Sequence, residues 1–123
     1  QVSLEQYRNG EQGFAYWPWS PVILDPVDFL SFLPGGMVAS DRTNWSEESV
    51  DEQLLDMIAQ AGVESDPEAR AALFERLQTY AQESGAYAPF LTPAIQTASR
   101  SDIEGFIWHP VWYVDVALLN RSE

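Results

Sequence analysis

Two segments in the middle of the chain have the hydrophobic periodicity of amphipathic helices. The first is predicted to begin near Ser46 or Ser49, because Ser49-x-x-Glu52 forms a capping box, and to end at Gly62. Its apolar face consists of residues three or four positions apart, namely Val50, Leu54, Leu55 and Ile58.

The second helix has distinct start and stop signals. Asp66 is predicted to be its N-cap, with Pro67 at the first helical position, and Gly85 closes it. Asp66 and Arg70 are four residues apart, so they are expected to pair across one turn. The apolar stripe at the helical period consists of Ala69, Leu73, Leu77, Tyr80 and Ala81.

The segment before these helices is rich in aromatic residues and proline. Residues 13–19 alternate in character and predict a strand, which Pro18 confines to a sheet edge. Asp25 and Pro26 predict the start of a short helix, with Asp25 as N-cap, and Pro34-Gly35-Gly36 ends it. Residues 1–12 are predicted to be a frayed polar lead-in or the end of a truncated element, and 20–26 and 37–46 are predicted to be loops.

Beyond Gly85 the pattern favours extended segments, predicted at 88–91, 95–98 and 103–108. Pro93 separates the first two, and Gly105 lies inside the third. For residues 111–119, strand and short helix are both open. The whole pattern predicts an α+β fold in which two main helices pack on a small mixed sheet.

The composition narrows the classes of function. The chain has 123 residues, the length of one domain, and its 19 acidic and 6 basic residues give a formal charge of -13. This balance argues against nucleic acid and anionic lipid as partners, because both require a basic face. The absence of cysteine excludes disulfides, thiolate metal sites and a cysteine nucleophile.

No catalytic constellation is visible in the sequence. His109 is the only histidine, and neither a glycine-rich phosphate loop nor a G-x-S-x-G elbow is present. Carboxylates are numerous, but their spacing selects no catalytic pair. We therefore expect a protein that is not an enzyme and that uses no metal and no cofactor.

The aromatic residues Tyr16, Trp17 and Trp19 are the more informative feature. They fit a core strand packed under the helices, and they equally fit a wall on which a sugar, a ring or an apolar side chain stacks. The same two interpretations apply to a second aromatic group, formed by Trp108, Trp112 and Tyr113.

Several short motifs follow one another in a fairly specific order. A strand that ends in Trp19 precedes Asp25-Pro26 and a Phe/Leu-rich short helix. The later motifs are Asn44-Trp45-Ser46, Val50-Asp51-x-x-Leu54, Asp66-x-Glu68-x-Arg70, Leu73-Phe74-x-x-x-Gln78, Pro89-Phe90-Leu91 and Arg100-x-Asp102-Ile103-x-Gly105-Phe106. From about Gly13 to about Phe106, this order resembles the C-terminal part of the family 5 extracellular solute-binding proteins, the peptide-, nickel- and oligosaccharide-binding components of ABC importers.

The resemblance implies that residues 1–123 are one partial domain, a C-terminal fragment of a two-lobed receptor with the periplasmic-binding-protein type II fold. The chain would supply the last part of the second lobe, with residues from about 89 to 123 returning toward the first lobe. A sequence without an initiator Met or a signal peptide agrees with this expectation.

The resemblance also implies a periplasmic or extracellular location. The implied partners are a small-molecule solute, the ABC permease subunits in the membrane and the remainder of the parent chain. Apolar surface exposed in the fragment would favour self-association.

One departure from the family pattern bears on the ligand. In peptide-binding members the loop reads Trp-x-x-Asp-x-x-Asp-Pro, and its first Asp holds the ammonium group of the peptide. Here Trp19 and Asp25-Pro26 keep that spacing, but Val22 occupies the position of the first Asp. Because valine cannot balance a cation, we expect a neutral solute such as an oligosaccharide, or a solute that other residues anchor. The expected ligand-binding residues are Trp19, Trp17, Tyr16 and Val22, whereas Asp25 is expected to cap the short helix.

Two other functions compete with this one. The chain can be an independent acidic interaction domain whose aromatic patch docks one protein partner, which predicts a folded monomer that binds no solute. A hydrolase with paired carboxylates has the least support, because no pair can be named.

Overall fold

The computed structural model describes residues 2–92, 94–109, 111 and 113–122, and of Tyr113 it describes the backbone. The predictions that involve Pro93, Trp112 and the Tyr113 side chain lie outside the described residues. The chain divides into two compact units. The first consists of Gln1–Trp17 and Asp25–Pro89, and the second of Pro18–Leu24 and Phe90–Glu123.

The first unit is helical. Its elements are α1 (Val2–Arg8), a 3₁₀ helix (Pro26–Phe32), α2 (Met37–Arg42), a 3₁₀ turn (Glu47–Ser49), α3 (Glu52–Val63) and α4 (Pro67–Glu83). The predicted loop at 37–46 is therefore wrong, because it contains α2. Of the two alternatives for 1–12, the frayed lead-in is wrong, because Val2–Arg8 form α1. Burial of Val38 and Ala39 accounts for α2, since so short a helix depends on packing more than on its own propensity.

Carboxylate side chains cap both long helices. Asp66 is the N-cap of α4, and its Oδ1 accepts a hydrogen bond from the backbone N–H of Ala69 at 2.8 Å. The N-cap of α3 is Asp51, whose Oδ1 accepts from the N–H of Leu54 at 2.8 Å. The predicted Ser49 capping box is therefore wrong, because the Ser49 hydroxyl donates to the Ser46 carbonyl oxygen inside the preceding 3₁₀ turn.

The core of the first unit lies between α3, α4 and the residues that follow the 3₁₀ helix. Its buried members are Leu33, Leu54, Met57, Ala61, Phe74, Leu77 and Ala81. The predicted helix stripes contain three of them, Leu54, Leu77 and Ala81. The predicted stripe of α4 is wrong at Ala69, which is exposed. The buried face of α4 includes Phe74 instead.

Among its described residues, the second unit contains four strands of two residues each. The strand β1 (Ile103–Glu104) pairs antiparallel with β4 (Asn120–Arg121), and β2 (Trp108–His109) pairs antiparallel with β3 (Tyr113–Val114). These are two separate two-stranded sheets, so the prediction of one small mixed sheet is wrong. A 3₁₀ helix, Val116–Leu118, precedes β4, so residues 111–119 hold both of the structures left open.

Four predicted strands differ from the structure. Residues 13–19 are irregular, as are the described residues of 88–91 and 95–98. The predicted strand 103–108 is two strands, because Gly105 adopts a positive φ of 77° and turns the chain between β1 and β2. The fold class is nevertheless α+β, with four α-helices and small antiparallel two-stranded sheets.

Candidate functional site

The segment before the first 3₁₀ helix exposes a series of apolar side chains. Phe14 is 88% exposed, Trp19 52% and Val22 72%, and the same segment also exposes Tyr16, Trp17, Ile23 and Leu24. Exposed apolar side chains in this number are typical of surfaces that receive a ligand or a partner.

The four predicted ligand-binding residues are divided between the two units. Tyr16 and Trp17 end the N-terminal part of the first unit, and Trp19 and Val22 lie in residues 18–24 of the second. The interpretation of 13–19 as a core strand is wrong, because Tyr16, Trp17 and Trp19 are exposed and the segment is irregular.

Trp17 is held by a residue that the sequence pattern did not indicate. Its ring lies 4.9 Å from the ring of Tyr7 between centroids, at an interplanar angle of 44°. The Arg42 guanidinium lies 5.4 Å from the centroid of the same Tyr7 ring. Tyr7 therefore links α1, α2 and the start of the aromatic segment. The sequence pattern does not predict the contact between Tyr7 and Trp17, because residues 1–12 are predominantly polar and have no apolar periodicity.

Asp25, at the other end of residues 18–24, has two structural roles. Its Oδ1 accepts a hydrogen bond from the N–H of Val27 at 2.8 Å, which caps the 3₁₀ helix. Both of its carboxylate oxygens also accept from the Arg70 guanidinium, Oδ1 from Nη2 at 2.6 Å and Oδ2 from Nη1 at 3.4 Å. The predicted pairing of Asp66 with Arg70 is therefore wrong, because Arg70 binds Asp25 instead.

The Arg70 contact changes the acidity of Asp25. The hydrogen bond from Arg70, followed by the one from the N–H of Val27, lowers the pKa of the Asp25 carboxyl below its ordinary value of 3.8. The Asp25 side chain is 42% exposed, so salt weakens this pairing. Arg70 itself lies over the ring of Phe74, 5.1 Å from its centroid.

The Asp25 ion pair makes the stability of the first unit depend on pH. With a lowered pKa in the folded chain, the unfolded chain binds more protons as the pH falls below about 4. The stabilisation is therefore present above pH 3.8 and is lost as the pH falls through the folded pKa. At pH 6, we expect the wild type to unfold at a higher urea concentration than Asp25→Asn. The difference between the two midpoints is expected to shrink as the pH is lowered. A difference that is constant or grows toward low pH would contradict the role of the pair.

A second aromatic cluster is structural. Tyr87 makes edge contacts with Phe32, at 5.7 Å between ring centroids, and with Trp45, at 6.1 Å. Trp45 also stacks on Tyr80 at 6.5 Å. Burial raises the pKa of the Tyr87 hydroxyl, and the neighbouring Thr43 hydroxyl opposes the rise. Among the described residues, the buried Tyr87 Oη has no hydrogen-bond partner within hydrogen-bonding geometry.

The structure gives His109 a local role. In the second unit its Nδ1 accepts a hydrogen bond from the backbone N–H of Val111 at 3.2 Å. Asp102 receives two arginines there, Arg100 at 2.9 Å and Arg121 at 2.8 Å, which ties β4 to the turn before β1. Within the part of the chain that the structure describes, no three His, Asp or Glu side chains are grouped closely enough to hold a metal ion.

One surface groove lies on the first unit, between α3 and α4. Its volume is about 340 Å³, and its lining residues are Met57, Glu75, Arg76, Thr79, Tyr80 and Glu83. None of the predicted ligand-binding residues lines it. Its lining combines two carboxylates and an arginine with apolar and aromatic side chains.

The chain matches no family model, no curated protein and no solved structure. Across the described residues, the helices are too short or too polar to cross a bilayer.

Proposed function

We propose that this chain is part of the solute-binding component of an ABC-type importer, which binds a small neutral solute and delivers it to the membrane permease. One observation carries most of the support. The ion pair between Asp25 and Arg70 joins two motifs on which the family resemblance rests, although they are 45 residues apart in sequence. Motifs whose residues contact each other in the folded chain support the family resemblance better than motifs that only follow one another in sequence.

The remaining support comes from the loop between Trp17 and Asp25. Its residues Trp19 and Val22 are exposed, so a solute can reach them. An indole ring supplies a flat stacking surface for a sugar, and a valine supplies an apolar contact without a charge. An oligosaccharide therefore fits this loop better than a peptide held by its ammonium group.

In this proposal the protein performs no chemistry, and its location is periplasmic or extracellular. Residues 1–123 form part of the second lobe, and those from about 89 onward return toward the first. The boundary between the two units at Pro89 and Phe90 supports this division. The ABC permease subunits and the remainder of the parent chain are the proposed partners.

Replacement of Trp19 tests the proposed binding surface. In the full-length gene product, Trp19→Ala is expected to weaken binding of a neutral oligosaccharide roughly tenfold, because the stacking surface is lost. Isothermal titration calorimetry measures the affinity without relying on tryptophan fluorescence. The control Val63→Ala shortens an apolar side chain on α3 that is 82% exposed, and it is expected to leave the affinity unchanged. Equal affinities of wild type and Trp19→Ala would show that this loop does not form the pocket.

A second candidate function is an independent acidic interaction domain. The exposed apolar residues favour it, because Phe90 is 81% exposed in addition to the aromatic segment. The encoding gene separates the two proposals. An upstream signal peptide and first lobe support the importer component, and a complete short reading frame supports the interaction domain.

A further inference from the structure

The loop formed by residues 18–24 is flanked by two residues that the first unit holds in place. Trp17, before the loop, packs on Tyr7 at 4.9 Å between ring centroids. Asp25, after the loop, receives the Arg70 guanidinium at 2.6 Å. Both contacts lie within the first unit, so they fix the points from which the loop leaves and to which it returns.

The two anchoring residues are themselves restrained. Tyr7 lies on α1 with the Arg42 guanidinium 5.4 Å from its ring centroid. Arg70 lies in the second turn of α4, a helix whose start is fixed by the Asp66 cap, and its guanidinium covers the Phe74 ring. Arg70 is therefore an anchor on a helix with buried residues, and it transmits little freedom to the carboxylate that it holds.

The contact at Asp25 is also directional. Arginine presents a planar fork whose two nitrogens reach both carboxylate oxygens, and this fixes the orientation of the carboxylate as well as its distance. The N–H of Val27 fixes the same carboxylate from the chain side at 2.8 Å. Asp25 is therefore held by three donor groups where the loop ends.

We infer that Tyr7 and Arg70 are positioning residues, which restrict the conformations of the loop that carries Trp19 and Val22. The inference rests on the proposed function, in which this loop contacts the solute. Fixing both ends of a short loop removes conformational freedom before a ligand arrives, and less entropy is then lost on binding. Neither residue needs to touch the solute for its loss to weaken binding.

The test observes the loop and the ligand separately. The full-length gene product is labelled with 5-fluorotryptophan, and the variant Trp19→Phe identifies the ¹⁹F NMR signal of Trp19. Arg70→Gln and Asp25→Asn each break the ion pair, and Asp25→Asn keeps an oxygen for the Val27 N–H. The matched control is Arg76→Gln, because Arg76 is an exposed arginine on the same helix. Affinity for neutral trisaccharides is measured by calorimetry on the full-length gene product that carries each variant.

Both pair-breaking variants are expected to shift the Trp19 signal and to weaken trisaccharide binding roughly tenfold. The double variant is expected to resemble either single one, because both remove the same link. Arg76→Gln is expected to change neither readout. If Arg70→Gln does not fold, Arg70→Lys retains one charged contact and is expected to produce a smaller shift in the same direction.

The outcomes separate the inference from the proposed function. An unchanged Trp19 signal in folded Arg70→Gln and Asp25→Asn overturns the positioning role, even if trisaccharide binds. An equal shift in Arg76→Gln overturns it as well. A third outcome combines two results: the Trp19 signal shifts only in the pair-breaking variants, and the wild type binds no trisaccharide. This outcome supports the positioning of the loop and contradicts the importer function.

Discussion

Leu77→Ala is expected to destabilise the first unit by about 2–5 kcal/mol. Leu77 is fully buried on α4, in the cluster that includes Leu54 and Phe74. Truncation removes its transfer free energy and leaves a cavity, because the capped helices α3 and α4 limit how far the surrounding residues can close it. A small domain has only about 5–15 kcal/mol of stability, so the loss is a large share of the total.

Urea denaturation followed by the helical circular dichroism signal measures this effect. Val63→Ala is the matched control, because it also shortens an apolar side chain on a long helix, at a position that is 82% exposed. It is expected to change the free energy of unfolding by less than about 0.5 kcal/mol. Similar values for the two variants would contradict the placement of the core.

The second large effect is expected in the second unit, from Gly105→Ala. Gly105 has a φ of 77°, a conformation that costs other residues about 1–2 kcal/mol. An added Cβ would overlap the carbonyl oxygen of Leu118. That oxygen belongs to the backbone before β4, so no rotation of a side chain relieves the overlap, which adds about 1–3 kcal/mol. We expect the pairing of β1 with β4 to be lost.

Amide hydrogen exchange at Ser122 reports on that pairing, because its N–H donates to the carbonyl oxygen of Asp102 next to the β1–β4 pair, and its protection is expected to disappear in Gly105→Ala. Gly85→Ala separates the two causes, because Gly85 has a similar φ of 73° but open space where the Cβ would be. It is expected to cost only the 1–2 kcal/mol or so that the left-handed conformation requires. Retained protection in Gly105→Ala would contradict the described approach of Leu118.

The sequence predicts the long helices well because their signals are local. Asp66 and Pro67, which start α4, are adjacent to the helix that they begin, and the apolar residues of its stripe repeat every three or four positions. The α3 start was placed too early because two capping residues compete, and the carboxylate of Asp51 reaches the N–H of Leu54. Choosing between them requires knowing the chain direction at Val50, which is a tertiary property.

The short elements could not be predicted in the same way. Nothing local distinguishes α2 from a loop, since burial of Val38 and Ala39 against other segments supports it. Residues 13–19 have strand propensity, but they are irregular in the structure. A strand also requires a second strand to pair with, and the propensity of one segment does not predict that partner. Each sheet has only two strands of two residues, too short for a period of two to be visible.

The family resemblance implies Trp19 and Val22 as ligand-binding residues, and both side chains are exposed. It does not indicate the contacts that hold the ends of their loop. The partner of Arg70 was not predicted, because local spacing favoured Asp66 and the actual partner is 45 residues away. A helix pattern identifies neighbours one turn apart, whereas a contact between distant segments depends on the whole fold.

Calorimetric titration of the full-length gene product with three ligands tests the proposed function most directly. The ligands are a neutral trisaccharide, a tripeptide with a free amino terminus and the same tripeptide acetylated at that terminus. With Val22 in place of a carboxylate, the trisaccharide is expected to bind, and acetylation is expected to make no difference to the tripeptide. Tight binding of the free tripeptide that acetylation abolishes, or no binding of any neutral sugar, would contradict the proposal.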